Sequence, residues 1–429
     1  GPMLRRMIAP IIANGGDING DGIEDMIVSE SATTFSNERL SHTYVVFGKT
    51  AGFEEDIDLT SLDGEDGFGL QGAPGSFDRI ERAGDINGDG FADVIASSVT
   101  IDSIGQTSGF STVVFGRVSG FDPVVDLTSL DGQNGFLFGE TAGGQSAYAV
   151  HAAGDVNGDG LADVIVGDPK ADPHGDDSGS TYVVFGKTSG FDAVLDLSSL
   201  DGQTGFRLDG EEERYSSRGV ASVGDINGDG FDDVVIDAPG ANKTPYGYSY
   251  YMGARYIVFG KASGFDAHMD LSSLDGNNGF RLNGPEHMRG ISSAGDINGD
   301  GLDDIFIESK LFSRYASYDT GYVVFGKASG FDAAMDIGDL DGRNGFQMTF
   351  GGFYTDTSFN NAADVNGDGF DDLTAGVREA SYSGVSYLVL GRASGFPAML
   401  SSSDDSIGVR LEQELAGQLF GASVSAAGD

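Results

Sequence analysis

The stretch Gly224-Asp225-Ile226-Asn227-Gly228-Asp229-Gly230-Phe231-Asp232-Asp233 determines how this 429-residue chain is interpreted. It contains the pattern D-x-N-G-D-G-x-x-D, in which three carboxylates and one amide oxygen alternate along nine residues. A fixed period indicates that one structural unit is repeated along an array. The pattern occurs six times, at intervals of 68, 70, 70, 71 and 68 residues, beginning at Asp17, Asp85, Asp155, Asp225, Asp296 and Asp364.

Each copy of the pattern supplies the type of ligand that calcium prefers. Side-chain oxygens at positions 1, 3, 5 and 9 suit Ca²⁺, and position 7 can add its backbone carbonyl. The glycines at positions 4 and 6 let the loop curl tightly, because glycine reaches positive φ without steric cost. The sequence predicts about six Ca²⁺ ions, held by Asp17, Asn19, Asp21, Ile23 and Asp25; Asp85, Asn87, Asp89, Phe91 and Asp93; Asp155, Asn157, Asp159, Leu161 and Asp163; Asp225, Asn227, Asp229, Phe231 and Asp233; Asp296, Asn298, Asp300, Leu302 and Asp304; Asp364, Asn366, Asp368, Phe370 and Asp372.

Two other interpretations of the loop are less consistent with the sequence. A simple Asn-Gly hairpin turn does not need three aspartates at fixed offsets in six copies. An EF-hand needs a bidentate Glu at position 12 and helices on both sides. Here strand-like runs follow the loop, and position 12 is apolar: Val28, Ala96, Val166, Ile236, Ile307 or Ala375.

Composition supports a calcium-dependent, extracellular protein. The chain has 67 acidic and 24 basic side chains, for a formal charge of −43. Such a surface disfavours nucleic acid, because phosphate binding needs clustered Lys and Arg. The absence of cysteine excludes disulfides and thiolate metal sites. We also expect no membrane insertion, since the apolar run 7–13 is far shorter than the ~20 residues of a spanning helix.

Each repeat predicts four β-strands. Around the fourth loop these are residues 219–223, 233–236, 255–260 and 279–282, which are rich in β-branched and aromatic side chains and bounded by glycine. Four short antiparallel strands per unit of this length are typical of a β-propeller blade. We therefore predict an all-β fold, a β-propeller of six four-stranded antiparallel blades. The alternative is seven blades, with the last one truncated or completed by the termini.

The repeats predict one domain. A single β-propeller would occupy residues 1–429, because one such blade cannot bury a core alone. The residues left after the sixth unit predict an extra closing strand at 413–429. The predicted units are 7–72, 73–140, 141–210, 211–284, 285–350 and 351–412.

The repeats resemble a known family. The fourth metal loop, the Ala238-Pro239-Gly240 after it and the later Tyr256-Ile257-Val258-Phe259-Gly260 are similar to the FG-GAP repeats of integrin α-subunit propellers and their bacterial relatives. The resemblance implies calcium binding by a loop that joins the first two strands of a blade on its lower face. It also implies ligand binding on the upper face. The Phe-Gly that precedes the loop in the family survives only as Phe420-Gly421.

A second repeated element connects the third and fourth predicted strands. It reads Val124-Val125-Asp126-Leu127-Thr128-Ser129-Leu130-Asp131-Gly132 and recurs from Asp196, Asp270 and Asp336. Its aspartates are either extra metal ligands or parts of a packed connection whose leucines are buried and whose Asp-Gly turns into the next strand. We favour the packed connection.

No sequence motif predicts catalysis. No G-x-S-x-G elbow, P-loop or H-E-x-x-H occurs, and no histidine recurs at an equivalent point of the repeat. We therefore predict that the protein is not an enzyme. The alternatives are a polysaccharide-degrading enzyme, either a lyase or a hydrolase, or a purely structural spacer. The five histidines are His42, His151, His174, His268 and His287.

Binding is the favoured function, and the variable loops are the expected contact surface. Tyrosines on a loop offer rigid amphipathic contact area, and the equivalent loop of the third repeat is acidic around His174. The alternative for both loops is that they are ordinary solvent-exposed loops with no role in binding. We predict an adhesion or ligand-recognition module of a bacterial surface or secreted protein, with an extracellular protein or glycan as its partner. The predicted ligand-binding residues are Tyr246, Tyr248, Tyr250 and Tyr251.

Overall fold

The computed structural model divides into two compact units. One comprises Gly1–Glu213 and Ala262–Asp270, and the other comprises Arg214–Lys261 and Leu271–Asp429. The tyrosines of the predicted ligand loop and the predicted closing strand at 413–429 lie outside the described residues. The structure describes residues 4–34, 39–53, 56–72, 77–101, 107–139, 149–211, 216–217, 219–242, 252–284, 288–312, 317–349, 356–378, 384–401 and 408–412.

The first unit contains three five-stranded sheets, with the orders β1-β2-β3-β4-β8, β5-β6-β7-β9-β13 and β10-β11-β12-β14-β18. Their strands are β1 (Leu4–Gly16), β2 (Asp25–Thr34), β3 (Arg39–Val46), β4 (Gly67–Gln71), β5 (Phe77–Gly84), β6 (Asp93–Ile101), β7 (Thr107–Val114), β8 (Val124–Asp126), β9 (Gly135–Phe138), β10 (Ala149–Gly154), β11 (Asp163–Asp168), β12 (Ser180–Val184), β13 (Val194–Leu195), β14 (Gly205–Asp209) and β18 (His268–Asp270).

The second unit contains two further five-stranded sheets and one of four strands, with the orders β15-β16-β17-β19-β23, β20-β21-β22-β24-β28 and β25-β26-β27-β29. Their strands are β15 (Val220–Gly224), β16 (Asp233–Asn242), β17 (Met252–Val258), β19 (Gly279–Asn283), β20 (Met288–Gly295), β21 (Asp304–Phe312), β22 (Ser317–Val324), β23 (Ala334–Asp336), β24 (Gly345–Thr349), β25 (Asp356–Ala363), β26 (Asp372–Arg378), β27 (Gly384–Val389), β28 (Met399–Ser401) and β29 (Val409–Glu412).

The predicted all-β class is confirmed, and the six sheets are consistent with the blades of a β-propeller. Each sheet begins with four antiparallel strands, as the sequence predicts. Five of the sheets gain a fifth short strand that runs parallel to the fourth and comes from the connection of the following repeat. The prediction of four strands missed this addition, because strands of two or three residues carry no readable alternation.

The fourth repeat shows where the predicted strand boundaries were wrong. The second strand was expected to end at Ile236, but β16 continues to Asn242 through Pro239 and Gly240. Proline cannot donate to the ladder, so it is tolerated in a strand mainly at an edge or a bulge. The register between β16 and β17 shifts between Ala238 and Asn242, and this irregularity accommodates the proline.

A 3₁₀ turn follows the fifth strand in most repeats. Asp58, Asp126, Asp196 and Asp336 each cap such a turn, with the side chain accepting from the amide two residues later. Leu127 and Leu130 are buried and Asp126 caps the turn, so the packed-connection interpretation is confirmed for the copy at 124–132. The five turns are Leu59–Ser61, Leu127–Ser129, Leu197–Ser199, Leu271–Ser273 and Ile337–Asp339.

Aromatic triads pack neighbouring repeats together. In the first unit, Phe115 and Phe136 come from one repeat and Phe191 from the next. The rings of Phe136 and Phe191 stack with centroids 4.5 Å apart, and Lys187 lies over the face of Phe191 at 4.7 Å. Equivalent triads are Phe47, Phe68 and Phe121; Phe185, Phe206 and Phe265; Phe259, Phe280 and Phe331; Phe325, Phe346 and Phe396.

Among the described residues, no helix is long and apolar enough to cross a membrane.

Candidate metal centres

Every predicted metal loop joins the first and second strands of its sheet. The loop that begins at Asp85 follows β5, and its closing residue, Asp93, is the first residue of β6. The same arrangement holds for β1 and β2, β10 and β11, β15 and β16, β20 and β21, and β25 and β26. The six loops therefore occupy the same end of their respective sheets.

Backbone amides organise the oxygen atoms of each loop. In the second loop, Asp85 Oδ1 accepts from the amides of Gly88 and Asp89 at 2.7 and 3.1 Å, and Asp85 Oδ2 accepts from Gly90 at 2.8 Å. Asn87 Oδ1 accepts from the amide of Asp89 at 2.9 Å. The first, fourth, fifth and sixth loops repeat this pattern. Five copies of the full hydrogen-bond pattern hold the predicted ligands in register, and the third loop shares the bonds donated by the amides of Asp159 and Gly160.

The two loop glycines are required by backbone conformation. Gly88 has φ +75° and Gly90 has φ +91°, in the left-handed region that side chains rarely adopt. A Cβ at Gly90 would meet nothing within 4 Å, so space does not explain the residue there. Positive φ alone accounts for this glycine.

The closing aspartate of each loop is buried and accepts hydrogen bonds from two backbone amides. Asp93 is 0% exposed, and its two carboxylate oxygens accept from the amides of Ile86 at 2.8 Å and Gly116 at 2.9 Å. Burial raises the pKa of Asp93 to about 8; these two amides oppose the rise, and the carboxylates of Asp89 and Asp85 add to it. Burial likewise raises the pKa of Asp163, Asp233 and Asp304 to about 8 and that of Asp25 to about 6.

A glycine after the third strand donates the second of these hydrogen bonds, a role that was not predicted from the sequence. Gly116 lies after the end of β7, and its backbone amide donates a hydrogen bond to Oδ1 of Asp93, the closing aspartate of the loop. A Cβ at Gly116 would lie 2.5 Å from the carbonyl oxygen of Ala92, so no side chain fits. The Phe-Gly that follows five of the six third strands, with Leu390-Gly391 in the sixth repeat, was the available signal. The equivalent donors are Gly48, Gly186, Gly260, Gly326 and Gly391.

The donor set fits a hard divalent cation. Positions 1, 3, 5 and 9 offer only oxygen atoms, which suits Ca²⁺ better than a soft transition metal. Within the described ranges, no loop has one oxygen from each of its three carboxylates all within 4.8 Å of one another. Like charges repel, and each carboxylate is satisfied instead by backbone amides. A cation at the centre would oppose both the burial and the weaker like-charge repulsion that raise the pKa of the closing residue.

Neighbouring loops are tied by backbone hydrogen bonds. In the first unit, the carbonyl of Asp85 accepts from the amide of Ala162 at 2.9 Å, and that of Ile86 accepts from Lys187 at 2.9 Å. In the second unit, the carboxylate of Asp303 also accepts from the amide of Asp225 at 2.9 Å. Each of these loops is therefore held by its own sheet and by the following repeat.

Sequence comparisons find two segments that match the FG-GAP repeat, at residues 146–184 and 219–256. The chain is 25% identical to Integrin alpha-V of Gallus gallus over 229 residues, which are 52% of this chain and 19% of that protein. It is 33% identical to Integrin alpha-4 of Xenopus laevis over 179 residues, 40% of this chain and 15% of that protein. Integrin alpha-PS5 of Drosophila melanogaster is 32% identical over 176 residues, 39% of this chain and 15% of that protein.

The aligned segments thus span less than a fifth of the length of these relatives. Both FG-GAP matches contain a metal loop with its flanking strands, and the sequence resemblance is confirmed there. The chain therefore carries FG-GAP repeats and, over part of its length, is similar to the integrin α-subunits.

Proposed function

We propose that this chain is a calcium-binding, integrin-like β-propeller that serves as an adhesion or ligand-recognition module of an extracellular bacterial protein. The observation that carries the calcium assignment is the oxygen-only loop with a buried closing aspartate, repeated six times. The likeness to integrin α-subunits supports a recognition role rather than catalysis.

In each loop, the side chains at positions 1, 3, 5 and 9 would hold the ion, together with the carbonyl at position 7. Bound calcium supplies the positive charge that lets three carboxylates share one site. The closing aspartate also accepts from the glycine after the third strand, as Asp163 does from Gly186 at 2.8 Å. Calcium would therefore lock three strands of each sheet together at one end.

The recognition surface would lie at the other end of the sheets. Strand β16 starts at the closing aspartate and ends at Asn242, away from the metal loop, and residues 243–251 separate it from β17 in the sequence. This connection carries Tyr246, Tyr248, Tyr250 and Tyr251. Tyrosine offers large contact area at low entropic cost, which supports a role in ligand contact.

Calcium stoichiometry tests the metal assignment. Calorimetric titration and elemental analysis should find about six ions per chain at millimolar calcium. Asp93→Asn should remove one ion, because it deletes the closing carboxylate of a single loop. A count far below six, or an Asp93→Asn variant that keeps the full number, would contradict the assignment.

A glycan and matrix-protein array, run with calcium and with EDTA, tests recognition. We expect calcium-dependent binding to at least one ligand class. A Tyr248, Tyr250 and Tyr251 triple change to Ser should abolish that binding and leave the melting temperature in calcium nearly unchanged. Unchanged binding would exclude this loop, and no binding to any array would contradict the recognition role. Cleavage of arrayed glycans would instead support the enzyme alternative.

A further inference from the structure

A cluster of two histidines and two aspartates lies at the outer edge of the third sheet. Asp209 ends β14, His268 and Asp270 belong to β18, and His174 comes from the loop between β11 and β12. The ligand atoms of Asp209, His268 and Asp270 all lie within 4.8 Å of one another. Of all described histidines and acidic residues, these three form the one group with this geometry.

The cluster is a departure from the repeat. Strand β18 pairs with β14 so that His268 lies opposite Arg207 and Asp270 opposite Asp209. The sheet does not need a histidine there, because the other fifth strands begin with an apolar residue at that register: Val124, Val194, Ala334 and Met399. Three other fourth strands carry no acid at the position of Asp209, which they fill with Gln71, Asn283 and Thr349.

The two imidazoles converge on one carboxylate oxygen. Asp270 Oδ1 lies 3.4 Å from His174 Nε2 and 3.7 Å from His268 Nε2. His268 Nε2 is also 2.7 Å from Asp209 Oδ2. Around a tetrahedral zinc with bonds of about 2.0–2.1 Å, ligand atoms stand about 3.3 Å apart. Both distances to Asp270 are close to this spacing, and the contact of His268 with Asp209 must lengthen. His174 is not part of the group within 4.8 Å, so its ring must also move closer to complete a four-coordinate site.

The surroundings orient the cluster as they do in metal sites. His174 Nδ1 donates to the carbonyl of Gly210 at 2.8 Å, so the lone pair of the neutral ring is on Nε2, which faces Asp270. Asp209 is 1% exposed, and its Oδ1 accepts from Ser180 Oγ at 2.6 Å. Ligating histidines usually donate their second nitrogen to a carbonyl or carboxylate, and ligating carboxylates are themselves hydrogen-bonded.

Arg207 is the natural competitor for this site. Its guanidinium lies 2.8 Å from Asp209 Oδ2, the same oxygen that His268 contacts. The arginine side chain is 40% exposed, so it can turn towards solvent when another cation binds. Metal and arginine would therefore exchange at Asp209.

We propose that His174, His268, Asp209 and Asp270 form a binding site for a divalent transition metal of the zinc type. Two imidazole nitrogens and two carboxylate oxygens suit zinc and its neighbours, whereas calcium takes oxygen ligands. The site differs in chemistry from the six loops and does not depend on their calcium assignment.

Zinc titration of the full chain, saturated with calcium, tests the proposal. Calorimetry should show one site that excess calcium does not displace, and cobalt in its place should give the intense visible bands of a four-coordinate ion. The double variant His174→Gln, His268→Gln should weaken zinc binding at least tenfold. His151→Gln is the matched control, because His151 lies in the same sheet and contacts Glu81 at 3.1 Å outside the cluster. Arg207→Gln should tighten binding, since it removes the competing cation.

Zinc affinity that is unchanged in the double variant, or equally reduced by His151→Gln, would overturn the proposal. Absence of saturable zinc binding and of cobalt bands in the unaltered chain would overturn it independently of any variant. Both substituted histidines are well exposed, at 40% and 46%, and the melting temperature in calcium should confirm that the variants fold.

Discussion

At the scale of single residues, the closing aspartates couple stability to pH. Burial raises the pKa of Asp93, Asp163, Asp233 and Asp304 to about 8, above the unfolded value of about 3.9. Between these values the folded chain binds more protons than the unfolded chain. The contribution to stability is therefore full below about pH 4 and is lost as the pH rises through about 8.

We accordingly expect the melting temperature in EDTA to fall when the pH is raised from about 5 to about 8. Calcium should suppress the fall, because a bound cation favours the ionised carboxylates at every pH. Asp163→Asn removes one of these groups and should show a shallower dependence in EDTA. Thermal unfolding followed by circular dichroism measures the effect, and a melting temperature in EDTA that rises over this range would contradict the argument.

The glycine that donates to the closing aspartate gives a second residue-level prediction. A Cβ at Gly186 would lie 2.6 Å from the carbonyl oxygen of Ala162, so Gly186→Ala must disturb the bond to Asp163. In calcium, where Asp163 is ionised, loss of this hydrogen bond should cost about 1.5–3 kcal/mol, and calcium binding at this loop should weaken. Gly69→Ala is the control, since its Cβ would make only ordinary contacts at 3.6 Å. Equal denaturant midpoints for the two variants would refute the role of Gly186.

The candidate metal loops could be recognised in the sequence because their proposed ligands lie within nine residues of the chain. The donor Gly186 could not be assigned a role in the same way, since it lies 23 residues from Asp163 and the bond depends on how β11 and β12 pair. The cluster around Asp209 and His268 could not be predicted from the sequence either. It joins residues 59 apart and depends on a parallel strand that has no sequence signature.

At the scale of elements, the aromatic triads pack each repeat against its neighbour. Phe191 is 8% exposed, and its ring stacks on Phe136 of the preceding repeat. Phe191→Ala should cost about 3–5 kcal/mol, through lost burial and the cavity left behind. Phe53 occupies the equivalent position of the first repeat but is 51% exposed, so Phe53→Ala should change stability by less than about 1 kcal/mol. Chemical denaturation compares the two, and similar losses would show that stacking is not the source of the effect.

The element order followed from the sequence, but the strand limits did not. The run 255–260 predicted the third strand of the fourth repeat, yet β17 begins earlier, at Met252, and ends at Val258. Backbone pairing extends a strand beyond its buried residues, as Asn242 and Met252 show by pairing across the sheet. The local pattern of apolar side chains indicates which residues are buried, but it does not show how far backbone pairing extends a strand.

At the scale of the whole molecule, charge dominates. The formal charge of −43 opposes compaction, and six divalent ions would bring 12 positive charges and leave −31. EDTA should lower the melting temperature markedly, because calcium that binds only the folded state stabilises it by mass action. Magnesium should restore stability poorly, since it demands a tighter octahedral shell. Potassium chloride at matched ionic strength is the control, as it screens repulsion without filling a loop, and an unchanged melting curve in EDTA would count against structural calcium.

Because each parallel fifth strand comes from the following repeat, the boundaries of the sequence repeats differ from those of the sheets. A fragment cut at the ends of one sequence repeat, such as 73–140, would keep β9 (Gly135–Phe138) but lose its partner β13 (Val194–Leu195). It would also lose Phe191, and the bare strand edge invites association between copies. Anyone dissecting this protein into pieces should therefore extend each piece past the 3₁₀ turn of the following repeat, which for this example ends at Ser199.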